Sequence, residues 1–193
     1  MKLEKKDIVL RLIKESDITD RYLSWFSDEK VTKYLEVKDL KKNEVLDYIN
    51  KGIEDKSYFI FAICLADNGL HIGNVKIGPI KSKYCITDLV TVIGDRNYWG
   101  KRVATIAIKK AIEISFNIIG LRKISASIDE ENIGSIRSYL NAGMKIESKV
   151  PNYFMHKNNK NISYSDKVYV GCTNNNFKLE NFNIDIGELF EAY

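Results

Sequence analysis

An α/β fold in one domain is predicted for this chain on three observations. Runs rich in β-branched and aromatic residues alternate with helix-period segments along its whole length, no Pro- or Gly-rich linker or internal repeat divides them, and 193 residues are enough for one sizeable core. The hydrophobic fraction of 45% and charged fraction of 29% are those of an ordinary soluble globular protein, which excludes disordered and fibrous classes.

Taken in order, Ile8-Val9-Leu10-Arg11-Leu12-Ile13 consists of strand formers, and Ser16 with Asp17 offers a helix start ahead of Ile18, Tyr22, Leu23 and Phe26. Short helices follow within residues 28–53. There Val31, Tyr34 and Leu35, then Val45, Leu46, Tyr48, Ile49 and Ile53, recur at helical spacing, with Asn43 placed as a cap. Residues 58–66 are a nearly unbroken apolar and aromatic run, Asp67-Asn68-Gly69 is a hairpin turn, and residues 71–79 return antiparallel. A strand over 84–93 ends in Gly94-Asp95-Arg96-Asn97, whose residues suit a loop. Val103, Ile106, Ala107, Ala111, Ile114 and Ile118 predict the longest helix, over 101–119, stopped by Gly120. Residues 123–128 read as a strand, Asn132 caps a helix through Ala142 that leaves by Gly143, and 145–150 and 163–172 read as the last strands. The Asn-rich stretch 152–161 is polar and basic, the segment from Asn174 has no clear period, and both are candidate mobile segments. The domain is expected to span 1–172, with 173–193 a polar tail that is either mobile or packed on it.

A net charge of +4 suits an anionic small ligand and falls short of a nucleic-acid footprint. Cys64, Cys85 and Cys172 are odd in number and widely spaced, so they read as buried reduced thiols in a cytoplasmic protein. The basic start, Met1-Lys2-Leu3-Glu4-Lys5-Lys6, leads into a strand rather than an apolar signal core, and no membrane-length apolar stretch appears. His71 and His156 stand isolated, so neither a metal site nor a Ser-His-acid triad is assembled from spacing.

The chemistry concentrates in Arg96-Asn97-Tyr98-Trp99-Gly100-Lys101-Arg102-Val103-Ala104-Thr105, which runs from a strand end through a loop into the long helix. A helix start presents unpaired N–H groups and the positive end of the macrodipole, Gly100 allows close backbone approach, and Lys101 and Arg102 add charge that asks for an anionic partner. A solvated basic turn fits the same residues, and neither nucleotide-loop signature is present.

Tyr98-Trp99-Gly100-Lys101 before the long helix, followed after a strand by Asn132-Ile133-Gly134-Ser135-Ile136-Arg137-Ser138-Tyr139-Leu140-Asn141-Ala142-Gly143-Met144, resembles GNAT acetyltransferases in order and spacing. The likeness covers about residues 8–172, and Tyr22-Leu23-Ser24-Trp25-Phe26-Ser27-Asp28 with Val31-Thr32-Lys33-Tyr34-Leu35 is similar to the branch containing ribosomal-protein and spermidine acetyltransferases. The resemblance implies a central, mostly antiparallel, twisted sheet flanked by helices, with acetyl-coenzyme A as acyl donor and no metal. It implies that Asn97, Tyr98, Trp99, Gly100, Lys101 and Arg102 hold the coenzyme pyrophosphate, with Val103, Ala104 and Thr105 opening the helix. Position 102 is Arg where the family usually has Gly or Ala, so close approach there requires its side chain to turn outward; position 97 is Asn rather than Gln or Arg.

The strand before the loop is splayed from its neighbour in the family, which implies Leu89, Val90, Thr91, Val92 and Ile93 as pantetheine contacts, with Asn132 and Ser135 on the pantetheine side. Tyr139 matches the tyrosine that protonates the departing thiolate, and Asp88 the acidic position that takes the amine proton directly or through water. The N–H of Thr91 or Val92 would steady the oxyanion. On the residues alone, Tyr139 reads as core, Asn132 as a helix cap and Asp88 as a strand charge. Trp25 and Tyr34, with Phe26, are candidates for the acceptor-pocket wall, although core packing suits at least two of them; Glu29, Glu36 and Asp39 are candidate acidic attractants. The expected acceptor is a small-molecule amine, either a nucleotide-linked amino sugar or a polyamine, with neither nucleic acid nor membrane as partner and a homodimer compatible with the aromatic-rich early helices. The alternatives are a protein N-terminal acetyltransferase of the ribosomal-protein type and a non-catalytic acyl-coenzyme A-binding module; a ligand-free structural role is the least consistent with paired motifs.

Overall fold

The computed structural model describes residues 2–158 and 161–185. It is an α/β sandwich on a seven-stranded sheet: β1 (Ile8–Leu12), β2 (Phe59–Leu65), β3 (His71–Lys81), β4 (Ile86–Ile93), β5 (Lys123–Asp129), β6 (Lys145–Asn158) and β7 (Asn161–Thr173). The spatial order is β1-β2-β3-β4-β5-β7-β6, and every adjacent pair is antiparallel except β4 with β5.

The helices are α1 (Asp20–Ser27), α2 (Glu29–Thr32), α3 (Lys42–Glu54), α4 (Val103–Glu113) and α5 (Ile133–Asn141). Strand alternation assigns the sheet two faces. Phe59, Phe61 and Ile63 of β2, Val75 and Ile77 of β3, Leu89 of β4, Ile124, Ala126 and Ile128 of β5, and Val168 and Val170 of β7 pack with Val103, Ile106 and Ala107 of α4 and with Tyr139 of α5. On the other face Ile60 packs with Tyr22, Trp25 and Phe26 of α1 and with Val45 and Ile49 of α3. The first cluster holds the fold: Phe61 is fully buried, and truncating such a side chain to Ala typically costs about 3–5 kcal/mol.

Several expected boundaries move for local reasons. The first helix starts at Thr19, whose hydroxyl accepts from the Tyr22 N–H, because Asp17 is engaged by Arg11 through two bonds of 2.6 and 2.7 Å. Burial pushes the Asp17 carboxyl up, but the Arg11 hydrogen bond and the Lys14 N–H outweigh it and leave it below the usual range. The N-cap of α3 is Lys41 rather than Asn43, with Glu44 accepting from the Lys41 N–H. The 101–119 helix begins at Val103 and continues past Glu113 as a π turn over Ile114–Ile118.

The stretch 152–158, a candidate mobile segment, continues β6 instead. Cross-strand pairs such as Phe154 with Ser165 and Met155 with Tyr164 carry the ladder outward, past a bulge where Asn152 has φ 52°. Residues 159 and 160 of that stretch lie outside the described residues, as do 186–193 of the tail. From Asn174 to Asp185 the chain packs on the domain: the Asn174 and Asn183 N–H groups donate to Arg122 O and Ile119 O, and Phe182 and Ile184 reach the larger core. No helix among the described residues is long and apolar enough to cross a membrane, and Cys64, Cys85 and Cys172 are free thiols.

Candidate active site

The site begins where the one parallel pair of the sheet fails. β4 and β5 are in register only at Ile86 with Lys123, Thr87 with Ile124, and Asp88 with Ser125; beyond that point β4 stays paired with β3 and β5 with β7. Residues 89–93 therefore border a gap. Main-chain groups of alternate residues point to alternate edges of a strand, and three contacts fix the phase here. Leu89 O accepts from the Tyr139 hydroxyl at 3.0 Å and Ile93 O from the Trp99 indole at 2.8 Å, both across the gap edge. Val92 O faces β3, where it leaves no room for a Cβ on Gly73. Leu89, Thr91 and Ile93 consequently turn their amides into the gap, and Val90 and Val92 turn theirs to β3.

The loop after β4 is built by its own backbone. Asp95 accepts from the Asn97 N–H at 3.0 Å, and the N–H groups of Tyr98 and Trp99 close back on Asp95 O and Arg96 O. Gly100 (φ 72°) and Arg102 (φ 69°) are both left-handed, so the chain reverses twice before α4. The first helical bond of that junction is from the Ile106 N–H to Arg102 O, which leaves the N–H groups of Val103, Ala104 and Thr105 without helical acceptors. Arg102 is exposed, so its side chain turns outward as close approach requires, at a left-handed cost of about 1–2 kcal/mol. Nothing lies within 4 Å of where a Gly100 Cβ would be, so the space over the loop is open.

From behind, α1 braces this loop. Arg21 binds Asp95 at 2.7 Å, Arg96 lies 3.4 Å from Asp28, and the Trp25 ring fills the space beside Gly94. Trp25 is only 5% exposed and meets the His71 ring edge-on at 5.1 Å, so it supports the loop from the interior rather than facing an open pocket. His71 Nε2 lies 2.9 Å from both Gly73 O and Asn74 Oδ1, and burial pushes its pKa down.

Tyr139 is 3% exposed, with its hydroxyl in the gap against Leu89 O and 3.4 Å from Thr91 Oγ1. Burial pushes its pKa up to about 12, opposed by hydrogen bonds from the Thr91 side chain and amide. Asn132 caps α5 by accepting from the Ser135 N–H at 3.2 Å. Asp88 is half-buried on the opposite face from Leu89, beside Ser125, and its carboxylate has no hydrogen-bond partner among the described residues.

That opposite face is open over β4 and β5, where Val90 is 41% exposed. Tyr34, beyond α2, borders it by donating to Glu131 O at 3.2 Å; Glu29, Glu36 and Asp39 are exposed. The sequence reading missed one assembly here. His156, expected to be isolated, has Nε2 3.1 Å from Asp129 Oδ2 and 2.8 Å from Ser165 Oγ, and Ser165 donates to Asp129 Oδ1 at 2.7 Å. These residues meet only through the β5-β7-β6 register, which no local pattern announces. A separate depression of about 580 Å³, lined by Asn117, Asn174, Asn181 and Asn183 among others, lies by the π turn and the tail, away from the gap.

A family model for the acetyltransferase (GNAT) domain matches residues 7–145. Spermidine N(1)-acetyltransferase of Escherichia coli (strain K12) is 26% identical over 153 residues, covering 79% of this chain and 75% of the relative. Among solved structures, spermidine N-acetyltransferase from Vibrio cholerae in complex with CoA and spermine superposes with TM-score 0.75 at 21% identity, over 86% of this chain and 95% of that one. Ribosomal-protein-S5-alanine acetyltransferase from Vibrio fischeri superposes with TM-score 0.76 at 18% identity, over 92% and 99%.

Proposed function

The chain belongs to the GNAT acetyltransferase family, and from that premise we propose that it transfers an acetyl group from acetyl-coenzyme A to the primary amine of a small molecule, a polyamine or an amino sugar, by direct attack. The observation that carries this reading is the gap beyond Asp88 and Ser125, with the Tyr139 hydroxyl and the Thr91 amide inside it and an unpaired helix start at its open end. The residues present fit the donor. The amides of Asn97, Tyr98 and Trp99 are spent on the loop's own turn, so those of Gly100, Lys101 and Arg102, with the free N–H groups of Val103, Ala104 and Thr105, would hold its pyrophosphate, and the gap edges of Leu89, Thr91 and Ile93, with Asn132 and Ser135 opposite, would hold its pantetheine arm. Bound there, acetyl-coenzyme A supplies an activated thioester carbonyl.

The remaining steps belong to the protein. Of Thr91 and Val92, Thr91 turns its N–H into the gap and is the oxyanion donor. Asp88, beside the gap and without a competing partner, takes the proton that the attacking amine loses, directly or through water. As the C–N bond forms and the C–S bond breaks, Tyr139 donates to the departing sulfur. A phenol near about 12 stays protonated at neutral pH, but complete ionisation toward a thiolate near 8.5 would be roughly 5 kcal/mol uphill. Tyr139 therefore acts by hydrogen-bond donation and keeps its own proton, and the departing thiolate takes its proton from solvent.

We place the protein in the cytoplasm as an acyltransferase of one domain, 1–172, with the 173–193 segment packed against it where it is described. A screen of polyamines, amino sugars and ribosomal-protein N-termini, read by mass gain of 42 Da (about, for one acetyl group) with release of free thiol, tests the reading. Acetylation of a small amine supports it; coenzyme binding with no transfer to any amine would make the chain a binding module instead.

A further inference from the structure

The neutral His156 ring has one available tautomer. Ser165 spends its only proton on Asp129 Oδ1, so it must accept at the 2.8 Å contact, and Asp129 Oδ2 can also only accept. Nε2 therefore carries the hydrogen and Nδ1 carries a lone pair, with no partner among the described residues, on a side chain 23% exposed. Asp129 and Ser165, 7% and 3% exposed, fix the ring from beneath.

The register places this ring on the acceptor face. Asp88 and Ser125 pair on the face opposite Leu89, and Ser127 and Asp129 follow on the same side of β5. Asp129 pairs with Lys167, Ser165 with Phe154, and Ser163 with His156, all on that face. Between Asp88 and this group the floor of β5 is formed by Ser125 and Ser127, small residues over which an extended ligand can lie. Four residue steps along the strand separate Ser125 from Asp129, about 13 Å at roughly 3.3 Å per step. Glu131 Oε2 lies 4.0 Å from His156 Nε2, and the same turn receives the Tyr34 hydroxyl. Lys33 lies 4.0 Å from Glu131 in an exposed pair of little strength, and the ammonium of Lys167 is seated 4.1 Å from the Tyr153 ring centroid. The floor hydroxyls of Ser125 and Ser127 can donate or accept and the Lys167 ammonium is held over the Tyr153 ring, so the groups that set the charge of a ligand at this end are the Nδ1 lone pair and the Glu131 carboxylate, and the complementary group is a cationic donor.

Resting on the acetyltransferase reading above, we propose that His156, oriented by Asp129 and Ser165 and flanked by Glu131, anchors a second ammonium group of an elongated acceptor whose reacting amine lies at Asp88. His156 is a specificity-determining residue, selecting di- and polycationic amines over monoamines of equal length.

The test uses the full chain and α,ω-diamines from diaminopropane to diaminodecane, against monoamines of matching length, with binding read by calorimetry and the imidazole nitrogens by NMR. The chain has 2 histidines, so the signals are assignable with one variant. Expected are an Nε2–H tautomer for His156, an Nδ1 shift on adding long diamines with His71 unmoved, and at least about tenfold preference for long diamines over monoamines. His156→Gln keeps an amide at the Nε2 position and should lose the preference while folding normally; His156→Asn places an acceptor near Nδ1 and should recover part of it. Equal binding of diamines and monoamines, an unmoved His156 resonance, or a His156→Gln variant with intact preference would overturn the proposal. Acetyl-coenzyme A binding is measured in parallel. Diamine preference without coenzyme binding would sink the transferase reading and leave the anchor standing, whereas coenzyme binding and monoamine acetylation without the preference would sink the anchor alone.

Discussion

The two ends of the open face are made in different ways. At the β4 end, the loop and the start of α4 are shaped by consecutive residues: Asp95 caps the turn, Gly100 and Arg102 reverse the chain, and the helix presents its free amides. At the β5 end, Asp129, His156 and Ser165 come from three strands and touch only because β7 lies between β5 and β6. A local backbone device survives single side-chain changes, while a register-built cluster depends on each member. The gap between the two ends draws on both, since Tyr139 comes from α5 but bonds β4 main chain.

This contrast also explains what was legible in the sequence. Gly100, the basic turn and Asn132 were readable because capping and reversal are written within a few residues. The inner strands were readable from strand-forming composition and α4 from its period, whereas the start of α1 was misplaced because Asp17 pairs with Arg11, a contact set by the fold. The outer arm of β6 and β7 was missed because its polar, Asn-rich composition masks cross-strand pairs such as Met155 with Tyr164. His156 looked solitary for the same reason, since strand order is not a local property.

The sharpest probe of the gap is Tyr139→Phe. It removes the hydroxyl but keeps the ring in the core, and kcat should fall about 100-fold or more with acetyl-coenzyme A affinity nearly unchanged. Steady-state kinetics with calorimetry checks this, and a variant with full kcat would make Tyr139 a packing residue only.

Next in size is an alkaline effect. Tyr139 and Tyr22 are both held near about 12 by burial, against 10.0 for the free side chain. For an acid whose folded pKa is raised, the stabilising contribution is whole below pH 10 and is lost as pH climbs from 10 toward 12. Each tyrosine should remove up to about 2–3 kcal/mol across that window, measured by denaturant unfolding, and Tyr139→Phe should flatten the curve.

The register-built end is tested by Ser165→Ala. The buried Asp129 loses its hydroxyl donor, so stability should drop by about 1–3 kcal/mol, while the remaining contact with Asp129 Oδ2 should keep the His156 hydrogen on Nε2 by NMR. A neutral result would mean the cluster tolerates loss of a member, against the contrast drawn above.

The smallest expected effect has the opposite sign. Arg102→Gly relieves a left-handed arginine and should stabilise the fold by about 1 kcal/mol, raising Tm by roughly 2–4 °C, with the loop shape retained. Destabilisation would show that the Arg102 side chain holds the loop.

The central claim is that the loop and gap form a coenzyme A site, and calorimetric titration of the wild-type chain with acetyl-coenzyme A, alongside Gly100→Trp, tests it most directly. The account predicts saturable binding by the wild type and its loss in a variant that remains folded, because the indole would fill the open space above the loop amides. Failure of the folded wild type to bind, or undiminished binding by Gly100→Trp, would contradict it.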